Sequence, residues 1–295
     1  MTHTRIKRLK KPVVDHIEKL LSVQISGTRS ISGGDISEAY LVQTQKGHFF
    51  CKVNNGPHAF SMFLAEKKGL EAISQTATVA SPKVLGCEKL DSCSLLVLEY
   101  IESKSPSPTD MERFGHQLAD LHSKSSPDGF GWESDNFIGS LHQSNKRHFD
   151  WSAFYVSERL VPQLMLARAR NLLSPSELPS EESLLKRCQD TFPKVRPALL
   201  HGDLWGGNYL IAQNGTPVLI DPATYYGHRE VDIAMTRLFG GFEPTFYSAY
   251  AEHFLEVGGE KERSDLYQLY YLLVHLNLFG LSYKSSVMPI LKRYF

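Results

Sequence analysis

The sequence predicts an α+β chain of two lobes: an N-terminal antiparallel sheet with one key helix, then a larger, mainly helical C-terminal lobe. Three observations lead there. Short apolar or alternating runs fill residues 25–100, interrupted by one helical stretch. A polar, proline-containing segment follows at 102–108. Beyond it, apolar residues recur mostly at helical spacing. The boundary therefore falls after Ile101, giving lobes over 1–101 and 102–295. The cleft between two such lobes is a common place for a ligand.

Taken in order, Val13, Val14, Ile17, Leu20 and Leu21 share one face of a short amphipathic helix. Residues 37–43, 47–53 and 94–100 read as strands separated by Gly, Asn, Asp and Ser. The helix among them covers 59–74, with Phe60, Phe63, Leu64, Leu70 and Ile73 apolar. In the linker, Thr109 and Asp110 stand ready to cap a helix over 111–122. Helical patterns then cover 150–172, 181–191, 230–239, 243–257 and 264–283, and one strand pair falls near 208–221. No internal repeat interrupts this order.

The 295 residues carry 32 Lys+Arg against 32 Asp+Glu, so the chain lacks the basic excess that marks a nucleic-acid binder. Arg5, Lys7, Arg8, Lys10 and Lys11 make a basic start, but Pro12-Val13-Val14 runs straight into Asp15 and His16. Without an apolar core this is a solvated tail rather than a signal peptide. The longest apolar stretch, 270–281, is broken by His275 and Asn277 and is too short to span a bilayer. Neither a membrane nor a nucleic acid is expected as partner, and the expected compartment is the cytosol. Cys51, Cys87, Cys93 and Cys188 have no metal-ligand spacing. Cys87 and Cys93 flank a turn and are expected to face each other across a hairpin as reduced thiols.

The chemistry concentrates in LLHGDLWGGNYLI, residues 199–211, followed by VLIDPA at 218–223. Asp203 and Asn208 stand five apart across a Gly-Gly turn, and Asp221 follows a β-like apolar run. Phosphoryl transfer needs a carboxylate to orient and deprotonate the attacking hydroxyl, and hard oxygen ligands for magnesium on the phosphates. This spacing parallels the catalytic-loop Asp and Asn of kinases and their later metal-binding Asp. Singly, each residue is an ordinary turn former; the joint spacing carries the reading. His201 reads as a packed core histidine, since Asp203 already fills the role of base.

The first lobe then has to supply the nucleotide side. Gly33 and Gly34, in ISGGDIS between two strands, offer main-chain N–H groups to phosphate oxygens. Lys52 lies in the apolar run FFCKV, and Glu66 lies mid-helix fourteen residues later, close to the face of Phe63 and Leu70. A Lys52–Glu66 pair would hold the ammonium at the α- and β-phosphates. Lys67 and Lys68 are closer to Glu66 in sequence but fall on a solvated face. Residues 95–101, including Leu98, Glu99, Tyr100 and Ile101, form a connector strand that would offer main-chain groups to adenine. ATP with Mg2+ is the cofactor this pattern calls for.

At this point the sequence resembles the fructosamine kinase (ketosamine-3-kinase) family, a relative of aminoglycoside and choline kinases within the protein-kinase-like fold. The resemblance is carried by LLHGDLWGGN, LIDPATYYGHREVDIAM and LFGGF, with ISGGDISEAY, FFCKVN and LVLEYI upstream. It covers nearly the whole chain. It implies transfer of the ATP γ-phosphate to the 3-hydroxyl of a free or protein-bound ketosamine, and hence deglycation. It also implies Asp203 as base, Asn208 and Asp221 as magnesium ligands, Lys52 with Glu66 as the phosphate-anchoring pair, and Trp205, Asp150 and Trp151 as sugar contacts. One departure is Asp35, where family members often carry Cys, so a redox switch through that thiol is not implied here. Two alternatives stand beside this reading: another alcohol acceptor such as an aminoglycoside or choline, and a non-catalytic ATP-binding module.

Overall fold

Period-two alternation builds the first lobe. The computed structural model describes residues 9–31, 37–255 and 257–295. It opens with helix α1 (Lys11–Leu21) and strands β1 (Ile25–Ile31), β2 (Glu38–Thr44) and β3 (Gly47–Asn54). Helix α2 (Ala59–Gln75) then precedes β4 (Val84–Lys89) and β5 (Ser94–Glu99). The five strands make one antiparallel sheet in the order β1-β2-β3-β5-β4. Along β5, Leu95 and Val97 pack with Val13 and Ile17 of α1, whereas Leu96 and Leu98 pack with Phe63 and Leu70 of α2. On β3 the same alternation sends Cys51 to the α1 side and its neighbour Lys52 to the α2 side. The glycine turn with Gly33, Gly34 and Asp35 lies outside the described residues.

The cysteines correct one expectation. Cys87 sits opposite Leu96 rather than Cys93. Cys87 packs beside α2 and Cys93 beside α1, so the sheet itself stands between them. All four thiols are free.

The second lobe begins inside the linker. Strand β6 (Ser103–Lys104) and helix α3 (Pro108–His122) are followed by a hairpin of β7 (Asn136–Ile138) and β8 (Leu141–Gln143). Helices α4 (Trp151–Tyr155) and α5 (Val161–Ala169) are joined by one π-helical turn, Val156–Leu160, and α6 (Glu181–Thr191) follows. Next come β9 (Ala198–Leu200), β10 (Tyr209–Ala212), β11 (Pro217–Leu219) and β12 (Tyr225–Gly227). Helices α7 (Glu230–Leu238), α8 (Pro244–Ala251), α9 (Glu260–Phe279) and α10 (Lys284–Tyr294) complete the chain. Strand β6 pairs with β10, which pairs with β11, so the linker is stitched to the second lobe immediately after the connector.

Helix α3 starts earlier than the sequence indicates. Pro108 is pre-set for a first helical turn, so Ser107 becomes the cap and Asp110 its reciprocal partner. Ser107 N–H donates to Asp110 Oδ2 (2.9 Å) and Asp110 N–H to Ser107 Oγ (3.3 Å). The Lys104 ammonium (2.7 Å) and these serine bonds lower the Asp110 pKa to about 2. The β7–β8 hairpin and α10 are among the elements without a counterpart in the sequence reading. The β7–β8 strands are three residues each, too short for a periodicity signal, and α10 carries Pro289 inside it, which ordinarily argues against a helix. Among the described residues, no helix is long and apolar enough to cross a membrane.

An aromatic core centred on Trp151, Phe154, Tyr155, Tyr225 and Tyr267 fills the second lobe. A separate cluster runs from Ile73 and Val79 in the first lobe through α3 to Leu199, Leu204 and Leu219, and so ties the two lobes together behind the cleft. Helix α3 crosses α8 at Gly115, where a Cβ would stand 2.3 Å from the Phe246 carbonyl oxygen. That contact is to rigid backbone and cannot yield cheaply. Gly115→Val is therefore expected to destabilise the protein by about 2–3 kcal/mol, read as a lower urea midpoint at unchanged slope.

Candidate active site

The site grows from the end of β9. There the chain turns through His201-Gly202-Asp203, with Gly202 at φ +85°, where a Cβ would lie 2.2 Å from the Ala223 carbonyl oxygen. The turn is gripped by Asp232, a fully buried carboxylate of α7. It accepts the N–H groups of His201 (2.7 Å) and Gly202 (2.9 Å) and also contacts His122 Nε2 (3.1 Å). From α9, the Tyr271 hydroxyl donates to the Gly202 carbonyl (2.8 Å). His201 is fixed in one neutral tautomer: Nε2–H donates to the Ile220 carbonyl (2.8 Å) while Nδ1 accepts the Asp203 N–H (3.2 Å). Burial pushes its pKa down, as suits a packed histidine.

Beyond Asp203, the chain folds back so that Asn208 Nδ2 donates to the Asp203 carbonyl (2.8 Å) and to its carboxylate (3.2 Å). The β10–β11 hairpin then returns the chain to Asp221, whose backbone is left-handed at φ +55°. Asp is one of the few residue types other than Gly that enter this region readily. On the opposite wall, Lys52 Nζ bonds Glu66 Oε1 (2.8 Å) and also reaches Asp221 Oδ1. Lys52 and Glu66 are nearly buried, whereas the Asp221 side chain is 38% exposed and faces the opening. Helix α2 comes close because Gly69 has no side chain: a Cβ there would meet Thr224 Oγ1 at 2.9 Å and Pro222 Cγ at 3.0 Å. The segment after Asp221 is braced from behind. Asn136 donates to the Thr224 carbonyl (2.8 Å), Gln143 donates to Asn136 (2.7 Å), and the Tyr270 hydroxyl bonds Gln143.

The electrostatics follow from the count of charges. Glu66 and Asp221 share the Lys52 ammonium, and Asp203 lies close enough to feel the charge of Asp221. Burial raises the Glu66 pKa to about 8 even with Lys52 beside it. Burial and then the charge of Asp221 raise Asp203 to about 7. For Asp221 the Lys52 ammonium outweighs burial and the pKa falls. For Lys52, burial is outweighed by Asp221 and Glu66, which keep the amine protonated.

Other residues singled out in the sequence stand as follows. Leu98 is buried, the Glu99 N–H donates to the Lys83 carbonyl (2.9 Å), and Tyr100 and Ile101 are half-buried. Trp205 is 41% exposed, its ring lying over the backbone of Gly207. Lys68 crosses to Glu133 (2.9 Å) rather than standing free in solvent. One expected sugar contact needs correction. Trp151 is 4% exposed, stacked on Phe154 with its N–H on the Tyr267 hydroxyl (3.0 Å), so its ring belongs to the core. Asp150 is exposed and caps α4, its Oδ1 accepting the Ala153 N–H (2.8 Å). Conversely, the sequence reading passed over Asp232. Its signal was an acid inside the apolar run Val231-Asp232-Ile233-Ala234-Met235, where a carboxylate has to be buried and therefore bonded.

The comparison with known proteins follows this geometry. The family model described as Fructosamine kinase matches residues 10–295. The chain belongs to the fructosamine kinase family. A Synechocystis protein named "Probable ketoamine kinase" is 40% identical over 273 residues, covering 92% of this chain and 90% of that one. The chloroplastic protein-ribulosamine 3-kinase of Arabidopsis thaliana is 39% identical over 280 residues, covering 92% and 84%. A solved structure from Haemophilus somnus 129PT, described as a candidate fructosamine-3-kinase, superposes with a TM-score of 0.86 at 26% identity over 96% of each chain. As a member of this family the protein is a phosphotransferase with an alcohol acceptor, and its two lobes are those of the kinase-like fold.

Two outcomes are expected from this arrangement. Between its ordinary 3.8 and about 7, the folded Asp203 carboxyl keeps a proton that the unfolded chain has released, so stability falls as pH rises through that window. Asp203→Asn removes the charge and should raise the melting temperature of the nucleotide-free protein at pH 8 while leaving it unchanged near pH 4. Asp232→Asn replaces one of two acceptor oxygens with a donor and strands a loop N–H. It should cost about 1–3 kcal/mol in thermal unfolding and lower single-turnover rates.

Proposed function

We propose that the protein transfers the γ-phosphoryl group of ATP to the 3-hydroxyl of a ketosamine of the fructosamine or ribulosamine type. The observation that carries this reading is the convergence of Lys52, Glu66, Asp221, Asn208 and Asp203 on one cleft between the lobes. In it, the lobe over 1–101 binds nucleotide, with adenine against Leu98, Glu99, Tyr100 and Ile101 and phosphates under Gly33 and Gly34. The lobe over 102–295 supplies the base and the acceptor site.

Lys52 orients the α- and β-phosphates, and Glu66 fixes the ammonium on the cleft side of β3. Asp203, positioned by the Asp232-held turn, takes the proton from the attacking hydroxyl as the new O–P bond forms. Burial and the charge of Asp221 raise its pKa to about 7, as suits a base working at physiological pH. The donor chemistry suits magnesium: Asp221 offers a carboxylate, and Asn208, with its amide nitrogen occupied by Asp203, offers an amide oxygen. Among the described residues no three His, Cys, Asp or Glu side chains form a metal cage. Two protein donors completed by substrate phosphates is the usual manner of magnesium. When bound, the ion neutralises charge on the transferring phosphoryl group. Trp205 offers an exposed indole face to the sugar beside Asp203. Phosphate at C3 is on the carbon next to the C2 carbonyl; loss of a C1 proton gives the 1,2-enaminol, which expels phosphate from the allylic C3, and water then hydrolyses the resulting imine to release the amine.

Asp203→Ala and Asp221→Ala should each lower ATP-dependent turnover by about a thousandfold or more while the protein stays folded. Fructosyl-lysine and ribulosyl-lysine should be phosphorylated in preference to free sugars, choline and an aminoglycoside. Turnover of another alcohol with none on either ketosamine would overturn the acceptor assignment. Full activity in either variant would overturn the mechanism.

A further inference from the structure

Two arginine side chains, Arg159 and Arg263, are buried among the described residues, and the structure treats them differently. Arg263 meets both carboxylate oxygens of Glu230, at 2.7 and 3.0 Å, which accounts for its charge. Arg159 makes its hydrogen bonds to neutral oxygens: the carbonyls of Ser144 (2.5 Å) and Glu158 (2.9 Å) and the Asn145 side chain (2.7 Å). Its Nε has no hydrogen-bond partner among the described residues. The acid beside it in sequence, Glu158, turns its carboxylate to His148 instead (2.9 Å). A cation buried without a counter-charge disfavours folding, so stability alone does not account for Arg159.

What the guanidinium does meet is aromatic. Its carbon lies 4.0 Å from the Tyr225 ring centroid and 4.7 Å from that of Phe154, where ring faces attract a cation. Burial pushes the Tyr225 pKa up, and the Arg159 charge works against that rise. The Tyr225 ring in turn reaches the catalytic turn. Its Cε1 edge packs on Gly202, the residue before Asp203, where an added Cβ would stand 3.4 Å away. Its Cε2 edge faces Gly227, where a Cβ would be 2.8 Å away. Backbone thus blocks the ring at both edges, and Arg159 lies over its face. The same guanidinium is anchored to the hairpin that braces the segment after Asp221. Asn145, fixed by Asp135 (2.9 Å) and the Ser134 carbonyl (3.1 Å), stands two residues beyond Gln143, which supports Asn136 on the Thr224 carbonyl. Arg159 belongs to the π-helical turn Val156–Leu160, an irregularity of a kind frequent at functional sites.

We propose that Arg159 is a positioning residue for phosphoryl transfer: its unpaired charge holds the Tyr225 ring against Gly202 and thereby fixes the direction in which Asp203 is presented. This rests on the reading of Asp203 as the base. Through Tyr225 on one side and Asn145 on the other, a single buried cation ties the Asp203 turn to the support of the Asp221 segment.

The test follows ATP-dependent phosphorylation of fructosyl-lysine together with thermal unfolding. Arg159→Met keeps an unbranched side chain but removes the charge, and should lower kcat about tenfold or more, since a small misdirection of a base is enough for that. KM for ATP should stay at the wild-type value, because Lys52 and the connector strand lie in the other lobe. The melting temperature should hold within about 4 °C, as exchanging a buried, unpaired charge for an apolar chain is close to neutral. Arg159→Lys keeps a charge over the ring without the forked hydrogen bonds and should recover kcat to within about threefold of wild type. Wild-type kcat in Arg159→Met, or a lysine variant as slow as the methionine one, overturns the proposal. A melting temperature that falls in step with kcat makes Arg159 a structural group and overturns it as well. Full turnover in Asp203→Ala would instead overturn the base assignment on which the proposal rests.

Discussion

The Lys52 ammonium, held between Glu66 and Asp221, joins three parts of the chain that are remote in sequence. It pins β3 to α2 and both to the segment that follows β11, across separations of 14 and 169 residues. One cation between two carboxylates in a dry setting is not balanced, and Asp203 adds a third acid across the gap. Burial first, and then the charge of Asp221, raises the pKa values of both Glu66 and Asp203. Removing the ammonium would leave buried charge without a partner, which ordinarily costs several kcal/mol. The cleft is thus organised to welcome further positive charge, which is what a cation-bearing nucleotide would bring under the proposed reaction.

Around that pair the structure invests in stiffness. Gly69 lets α2 touch Pro222 and Thr224 directly, so the helix bearing Glu66 and the strand end bearing Asp221 are packed as one block. The Asn136–Gln143–Tyr270 chain holds the Thr224 side of the same segment. Asp232 and Tyr271 do the corresponding work for the turn before Asp203. None of these groups needs to meet a substrate. Their contribution is to hold Lys52, Glu66, Asp203 and Asp221 in fixed positions that flexible loops could not keep.

Much of this was legible in the sequence, and the gaps have physical reasons. Alternation in β3 and β5 assigns Lys52 to the face opposite Cys51, and helical spacing from Phe63 through Leu70 puts Glu66 on the same face, so their meeting follows from two local periods. The Asp203–Asn208 spacing across two glycines and the apolar run before Asp221 are equally local. Tertiary direction is not. Beside a helix start, an aromatic such as Trp151 reads identically whether its ring turns into the core or towards a ligand. The early start of α3 needed Pro108 to be weighed as a helix opener rather than as a linker residue. Strands as short as β7 and β8 carry too few residues to display a period, although they brace the site.

The left-handed backbone at Asp221 narrows what that position can ever become. Two independent demands fall on one residue: a carboxylate for the cleft, and a side chain short enough to live at positive φ. Asn meets the conformational demand without the charge, Gly meets it without any donor, and Glu keeps the charge but has little access to that conformation. Every single-residue path away from Asp therefore fails one requirement before it can improve the other. Replacing this residue while keeping a carboxylate in the same place would mean rebuilding the turn along with the side chain.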